Sequence, residues 1–185
     1  MEPRIMTFTG KFVNPLDLQP DDLDIRDIAH ALALCNRFAG HTKFPISVAQ
    51  HSIFVALKCP KYPLTALLHD ASEAYIGDVT KWLKQTDAFA GYRAIEERIQ
   101  STINKKFGAH KVLPEEVKAA DRLMVRIEGY RGYGPAFHID HPDYPDMTEE
   151  EMFKYPVLYP WDWKTAEERF LKTFTALNGR DYPND

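Results

Sequence analysis

Leu67-Leu68-His69-Asp70-Ala71-Ser72-Glu73-Ala74-Tyr75-Ile76-Gly77-Asp78 is the stretch on which the reading of this chain turns. Pro63 stands just before it and suits a first helical position, and Gly77 suits a helix end. Leu64, Leu67, Leu68, Ala71 and Tyr75 recur at helical intervals between them, so the pattern predicts one helix from Pro63 to Gly77. The adjacent His69 and Asp70 can each give one ligand to the same metal ion. Glu73 lies four residues after His69 and three after Asp70, which on a helix places its carboxylate one turn along the same face. With Asp78 just beyond, the segment offers a metal site and neighbouring carboxylates that can activate water or handle protons. That is equipment for metal-assisted hydrolysis.

The helical pattern extends in both directions. Asp24 is placed to cap a helix whose apolar face is Ile25, Ile28, Ala29, Leu32 and Cys35. Ser47 with Gln50 makes a capping-box pattern for a helix running to about Lys58. A longer helix begins near Asp87, carries Phe89, Tyr92, Ile95, Ile99, Ile103 and Phe107, and closes at Gly108. Pro114 opens another, with Val117, Ala120, Met124 and Ile127 on one face. Thr165 and Glu168 form a second capping box for a C-terminal helix over 165–178, with Ala166, Phe170, Phe174 and Leu177 apolar. Thr7 to Asn14 reads as a small β-hairpin around Gly10. Residues 129–164, rich in Gly, Pro, Tyr and Asp, read as one long irregular segment, of the kind that serves function or subunit contacts. The expectation is an all-α fold: a single compact helical bundle spanning 1–185, with a core of about 24–128 and a small N-terminal hairpin.

Bulk properties narrow the class. The 185 residues suffice for one domain with a real core, and a charged fraction of 27% is ordinary for a soluble protein. A net charge of −4 argues against a nucleic-acid polymer as partner. Cys35 and Cys59 form neither CxxC nor a disulfide framework. No apolar run approaches the roughly 20 residues of a membrane span. Met1-Glu2-Pro3-Arg4 leads into polar residues without the apolar region of a signal peptide. These absences predict a cytoplasmic protein.

Two ligands do not hold a catalytic metal, which takes three or more from the protein and leaves a position open. His51, in the first turn of the helix that Ser47 starts, is the candidate third. Asp121, set among Val117, Ala120 and Met124 on an inward face, is the fourth; a carboxylate there is costly to bury unpaired. Each has a plainer reading: His51 as a hydrogen-bonded core residue, Asp121 as the partner of a buried arginine. An ordered His, His-Asp and Asp on separate helices is the more specific pattern. Its mixed nitrogen and oxygen donors suit Zn, Mn, Fe, Co or Ni.

The ordered set His51, His69-Asp70 and Asp121 resembles the signature of the HD-domain metal-dependent phosphohydrolases. His69-Asp70-Ala71-Ser72-Glu73 with Gly77-Asp78 is similar to the branch containing the bacterial YfbR-like 5′-deoxynucleotidases. Asp27 to Leu32, Asn36 to Thr42 and Ser47 to Ser52 look closer still to its phage members, including the DatZ-type dATP triphosphohydrolases. Pro160-Trp161 and Ala166-Glu167-Glu168-Arg169-Phe170-Leu171 fit the same group. The resemblance covers residues 24–128 well and the last helix loosely.

That resemblance implies a divalent transition metal, Zn, Co or Mn, on His51, His69, Asp70 and Asp121. It implies that Glu73 and Asp78 orient or activate water and protonate the leaving oxygen. Arg37 matches a phosphate-binding arginine, Phe38 an aromatic that is tryptophan in the YfbR-like enzymes, and Lys84 a lysine that contacts phosphate. Lys81-Trp82 depart from the pattern, standing where a proline-containing turn is commoner. The implied substrate is a small deoxynucleotide. The first reading is dATP cut to deoxyadenosine and triphosphate, with additional divalent ions on the phosphate tail. The alternative is a dNMP cut to nucleoside and phosphate. A reading from another class is a non-catalytic HD module that binds nucleotide or a partner protein. A zinc protease is disfavoured because HExxH is absent. A homo-oligomer is implied, in the cytoplasm of the bacterial host if the chain is phage-encoded. His30, His41, Trp161 and Trp163 read as structural.

Overall fold

The computed structural model describes residues 3–139, 144, 147–148, 150–151, 154 and 159–179. The N-terminal hairpin pairs β1 (Ile5–Met6) with β2 (Phe12–Val13) antiparallel, Ile5 opposite Val13. Its turn is tied to the first helix: the Thr9 amide and hydroxyl donate to the two oxygens of Asp27, at 2.6 and 3.0 Å. That helix, α1 (Ile25–Leu34), starts where Asp24 accepts the amide of Arg26.

The bundle forms around α1 and α2 (Val48–Lys58). Both pack against each other and against the C-terminal α8 (Trp163–Asn178), and α2 also packs against α3 (Pro63–Leu67) and α7 (Glu115–Tyr133). Ile25, Ile28 and Leu32 of α1 meet Phe170 and Phe174 of α8 in one core with no exposed surface at any of the five. Burying each such side chain contributes about 1.5–3 kcal/mol. Ile99 and Ile103 of α6 (Ala90–Phe107) and Met124 and Ile127 of α7 extend that core. Among the described residues the fold is all-α apart from the hairpin. No helix among the described residues is long and apolar enough to cross a membrane.

Several local expectations are corrected. Ser47 caps α2 by accepting the Gln50 amide, but the box is half-made. The Gln50 side chain instead donates to the Tyr159 carbonyl at 2.9 Å and accepts from the Trp161 amide at 3.1 Å, satisfying a backbone segment laid against the helix. Asp162, not Thr165, caps α8, so that helix begins two residues early. Pro114 is the cap of α7 and not its first residue.

The helix α7 runs past Ile127 to Tyr133, so the segment expected to be irregular from 129 begins as helix. Gly129 and Gly132 cost helix propensity, roughly 1 kcal/mol each. Packing compensates, because a Cβ at Gly129 would lie 2.0 Å from the Phe137 ring and one at Gly132 would lie 2.5 Å from Thr42. Beyond Ile139 most of the segment lies outside the described residues.

The largest correction concerns the expected helix over 63–77. It breaks into α3 (Pro63–Leu67) and α4 (Glu73–Ile76), with tight turns between. Gln100 of α6 takes both loose ends: it donates to the Leu68 carbonyl at 2.7 Å and accepts the Ser72 amide at 3.1 Å. His69 and Asp70 therefore sit in the break and not on a helical face.

Candidate metal centre

The break frees backbone groups that a continuous helix would use. The Ala66 carbonyl accepts His69 Nδ1 at 2.8 Å. From α2, His51 places Nδ1 against the Glu128 carboxylate, 2.9 Å from Oε1 and 3.1 Å from Oε2. Both imidazoles thus donate from Nδ1, which leaves Nε2 as the lone-pair nitrogen of the neutral ring. A carboxylate or carbonyl fixing Nδ1 in this way is the usual support of a metal-ligating histidine.

Both Nε2 atoms are buried, and neither has a hydrogen-bond partner of proper geometry among the described residues. They face two carboxylates. Asp70 Oδ2 lies 3.1 Å from His69 Nε2 and 3.7 Å from His51 Nε2, and Asp121 Oδ1, on α7, lies 3.2 Å from His51 Nε2 and 3.8 Å from His69 Nε2. Donor atoms of His51, His69 and Asp70 lie within 4.8 Å of one another, so this group can bind a metal ion. Asp121 reaches both histidines from the open side, with 31% of its side chain exposed.

The electrostatics show a deficit of positive charge. Burial works against charging His51 and His69, and Arg37 opposes it again at His51. Glu128 and Asp121 at His51, and Asp70 and Asp121 at His69, outweigh this and raise both imidazoles, His69 well above its ordinary range. Burial likewise pushes the carboxyls of Asp70 and Asp121 up, but the two histidines hold both below the usual carboxylate range. Without a cation the carboxylates draw protons onto the imidazoles; a divalent ion supplies the same charge and displaces those protons.

Arg37 enters from the turn between α1 and α2. Phe38 (φ 55°), Ala39 (φ 50°) and Gly40 (φ 74°) are consecutive left-handed residues. For the two non-glycines this costs roughly 1–2 kcal/mol each. The turn is fastened by the Asn36–Ser47 bridge and by the Arg37 amide on the Ile46 carbonyl at 2.8 Å. It sends Arg37 inward, where Nε donates to Glu128 Oε2 at 2.9 Å and Nη1 approaches Asp70 Oδ2 at 3.4 Å. Burial opposes its charge, but Glu128 foremost, with Asp70 and Asp121, holds the guanidinium protonated.

Glu73 opens α4 and is almost fully buried. Its Oε1 accepts from Lys84 Nζ at 3.1 Å, while Oε2 has no hydrogen-bond partner among the described residues. Burial first, then Asp70 and Asp78, push its carboxyl well above the usual range against the pull of Lys84. Asp78 follows the turn at Gly77 and is raised by burial and Asp70, with Arg37 and Lys84 opposing. Lys84, on α5 (Lys81–Lys84), is shared between Glu73 and Glu96, the latter at 2.6 Å. It is therefore a clamped cation.

Arg37, Phe38, Asp70, Glu73, Asp78, Lys84 and Asp121 all line one cavity of about 1010 Å³. The structure thus brings the nine site residues together, with His51 and His69 forming the buried back of the same centre. His41 also lines it, whereas His30 is structural, bonded to Glu167 at 3.0 Å and stacked on Phe8. Trp161 anchors α8, packed between Phe54 and the Arg169 guanidinium.

Two features escaped the sequence reading. Glu128, two helical turns after Asp121, was legible only as an acidic residue beside an apolar stripe. Tyr133 and Phe137 stack with rings 2° from parallel, and both meet Phe38 edge-on, forming an aromatic wall to the cavity. These rings lie in the segment whose composition predicted no element.

No protein-family profile matches the chain. It is 38% identical to the uncharacterized protein YfdR of Escherichia coli (strain K12) over 175 residues, covering 94% of this chain and 95% of that one. It is 36% identical to an uncharacterized protein of Rhodobacter capsulatus over 134 residues, covering 65% of this chain and 68% of the other. Similarity of that extent, along almost the whole of both chains, places this protein in the YfdR family.

Proposed function

We propose that the chain is a metal-dependent deoxynucleotide phosphohydrolase of the HD-domain type. The observation that carries this is the pair of buried His51 and His69 Nε2 atoms, without hydrogen-bond partners among the described residues, facing Asp70 and Asp121 at a cavity that also has an aromatic wall. His51, His69 and Asp70, with Asp121, would hold a divalent ion, which would supply Lewis acidity towards a phosphoryl oxygen and towards water. Arg37 binds the phosphate through the part of its guanidinium at the cavity wall. Asp78, whose carboxyl is raised by burial and by Asp70, donates a proton to the leaving oxygen. Glu73, steered by Lys84, orients the attacking water. Phe38, Tyr133 and Phe137 receive the base.

Cavity size supports the triphosphohydrolase reaction, with dATP as first substrate. About 1010 Å³ is at the upper end of the roughly 300–1,000 Å³ common for small-molecule sites, which supports a substrate larger than a nucleoside monophosphate. One observation favours the dNMP reaction instead: Lys84 is already shared by two carboxylates, so a triphosphate tail needs additional divalent ions. The presence of every ligand candidate and both carboxylates weighs against a non-catalytic module.

Product analysis decides. Metal-reconstituted protein is incubated with dATP and, separately, dAMP, with Asp70→Ala as control. Deoxyadenosine plus intact triphosphate from dATP establishes the first reaction; turnover of dAMP alone establishes the second. No turnover of either across several divalent metals overturns the proposal.

A further inference from the structure

Glu128 has no exposed surface, and its two oxygens face two donors from different elements. Nδ1 of His51, on α2, lies 2.9 Å from Oε1; Nε of Arg37, in the left-handed turn, lies 2.9 Å from Oε2. Arg37 then reaches Asp70 Oδ2 at 3.4 Å, and the same oxygen lies 3.7 Å from His51 Nε2. His51, Glu128, Arg37 and Asp70 thus close a ring in which a candidate metal ligand and the candidate phosphate-binding cation share one carboxylate.

We infer that Glu128 is a positioning residue that holds His51 for metal and Arg37 for an anion at the same time. The inference rests on the metal reading of the site, and it needs no hydrolysis. The chemistry demands a carboxylate. Both groups facing Glu128 are N–H donors, so only an acceptor at each oxygen satisfies both. A glutamine presents its own NH₂ to one of them, and an aspartate is a methylene too short to span both. Neutralising a buried arginine is a narrower role, and it would leave metal affinity untouched once the arginine itself is removed.

The test is equilibrium binding of Zn²⁺, by competition with a chromophoric chelator, and of inorganic phosphate to the Zn²⁺-loaded protein. Glu128→Gln is expected to weaken Zn²⁺ by roughly 10–100-fold, the usual effect of losing the partner of a ligating histidine. Phosphate affinity falls with it. Because Glu128→Gln leaves Arg37 buried without its partner and can fail to fold, the double variant Arg37→Gln/Glu128→Gln is measured beside it. Removing both charges together avoids a buried unpaired charge, and Zn²⁺ affinity stays low because the uncharged amide oxygen left for His51 Nδ1 is a weaker acceptor than the carboxylate. Zn²⁺ binding within twofold of wild type in either folded variant overturns the inference, as does a wild type that binds no Zn²⁺. A wild type that binds Zn²⁺ but hydrolyses no nucleotide sinks the enzymatic proposal alone.

Discussion

The Phe137 ring lies on the bare backbone of Gly129, where a Cβ would come within 2.0 Å of it. A glycine near the C-terminal end of α7 therefore seats one wall of the cavity. Gly129→Ala is expected to push Phe137 out of its stack with Tyr133 and to spoil base binding. Base–aromatic stacking is worth about 1–3 kcal/mol per base, so KM for the nucleotide should rise roughly tenfold or more. Zn²⁺ affinity should not change, because the metal ligands lie elsewhere on the cavity. Steady-state kinetics with a parallel Zn²⁺ titration checks both; an unchanged KM removes Phe137 from the base site.

Gln100 joins the two ends of the break that carries His69 and Asp70. In Gln100→Ala the Ser72 amide loses its partner, at about 1–3 kcal/mol for a group left buried and unsatisfied, while the Leu68 carbonyl loses one of two donors and keeps the Ala71 amide at 3.1 Å. The expected outcome is a lower urea midpoint together with weaker Zn²⁺ binding, since the turn holding two ligands loosens. Lost stability with wild-type Zn²⁺ affinity would mean that the break holds its geometry without Gln100.

How far the sequence carried the reading is clearest at this break. Apolar spacing located Leu64, Leu67, Leu68, Ala71 and Tyr75 correctly as buried or half-buried residues, because hydrophobic period reports burial. It could not report that a side chain thirty residues on would compete for the backbone of Leu68. The ligand candidates were legible because a buried carboxylate or imidazole needs a partner wherever it lies. Glu128 was not, because its meaning is its distance from Arg37 and His51, and those come from other elements. The left-handed turn at Phe38 and Ala39 leaves no mark in composition, since glycine stands only at its end.

Lys84 lies between Glu73 and Glu96 and lowers the cost of ionising Glu73, which burial and the neighbouring carboxylates raise. Lys84→Met removes that pull, so Glu73 should keep its proton to higher pH. If Glu73 must be ionised to orient water, the acid limb of the pH–rate profile moves upward and kcat at neutral pH falls by roughly tenfold or more. A superimposable profile would show that Lys84 does not control the ionisation of Glu73.

Metal binding should stabilise the fold, because its donors come from α2, from the break after α3 and from α7, which the unfolded chain does not hold together. Zn²⁺ at a hundredfold excess over its Kd is expected to add about 2.7 kcal/mol to the unfolding free energy, and a chelator to remove it. His69→Ala takes out one of the three tightly grouped donors and should abolish the shift. Asp121→Ala leaves that group intact and should keep a reduced shift, since Asp121 closes the centre from its open side. Thermal unfolding with and without Zn²⁺ separates the cases. Equal loss in both variants would make Asp121 an equal ligand, and a full shift in Asp121→Ala would leave it as a partner of the histidines, outside the metal's own shell.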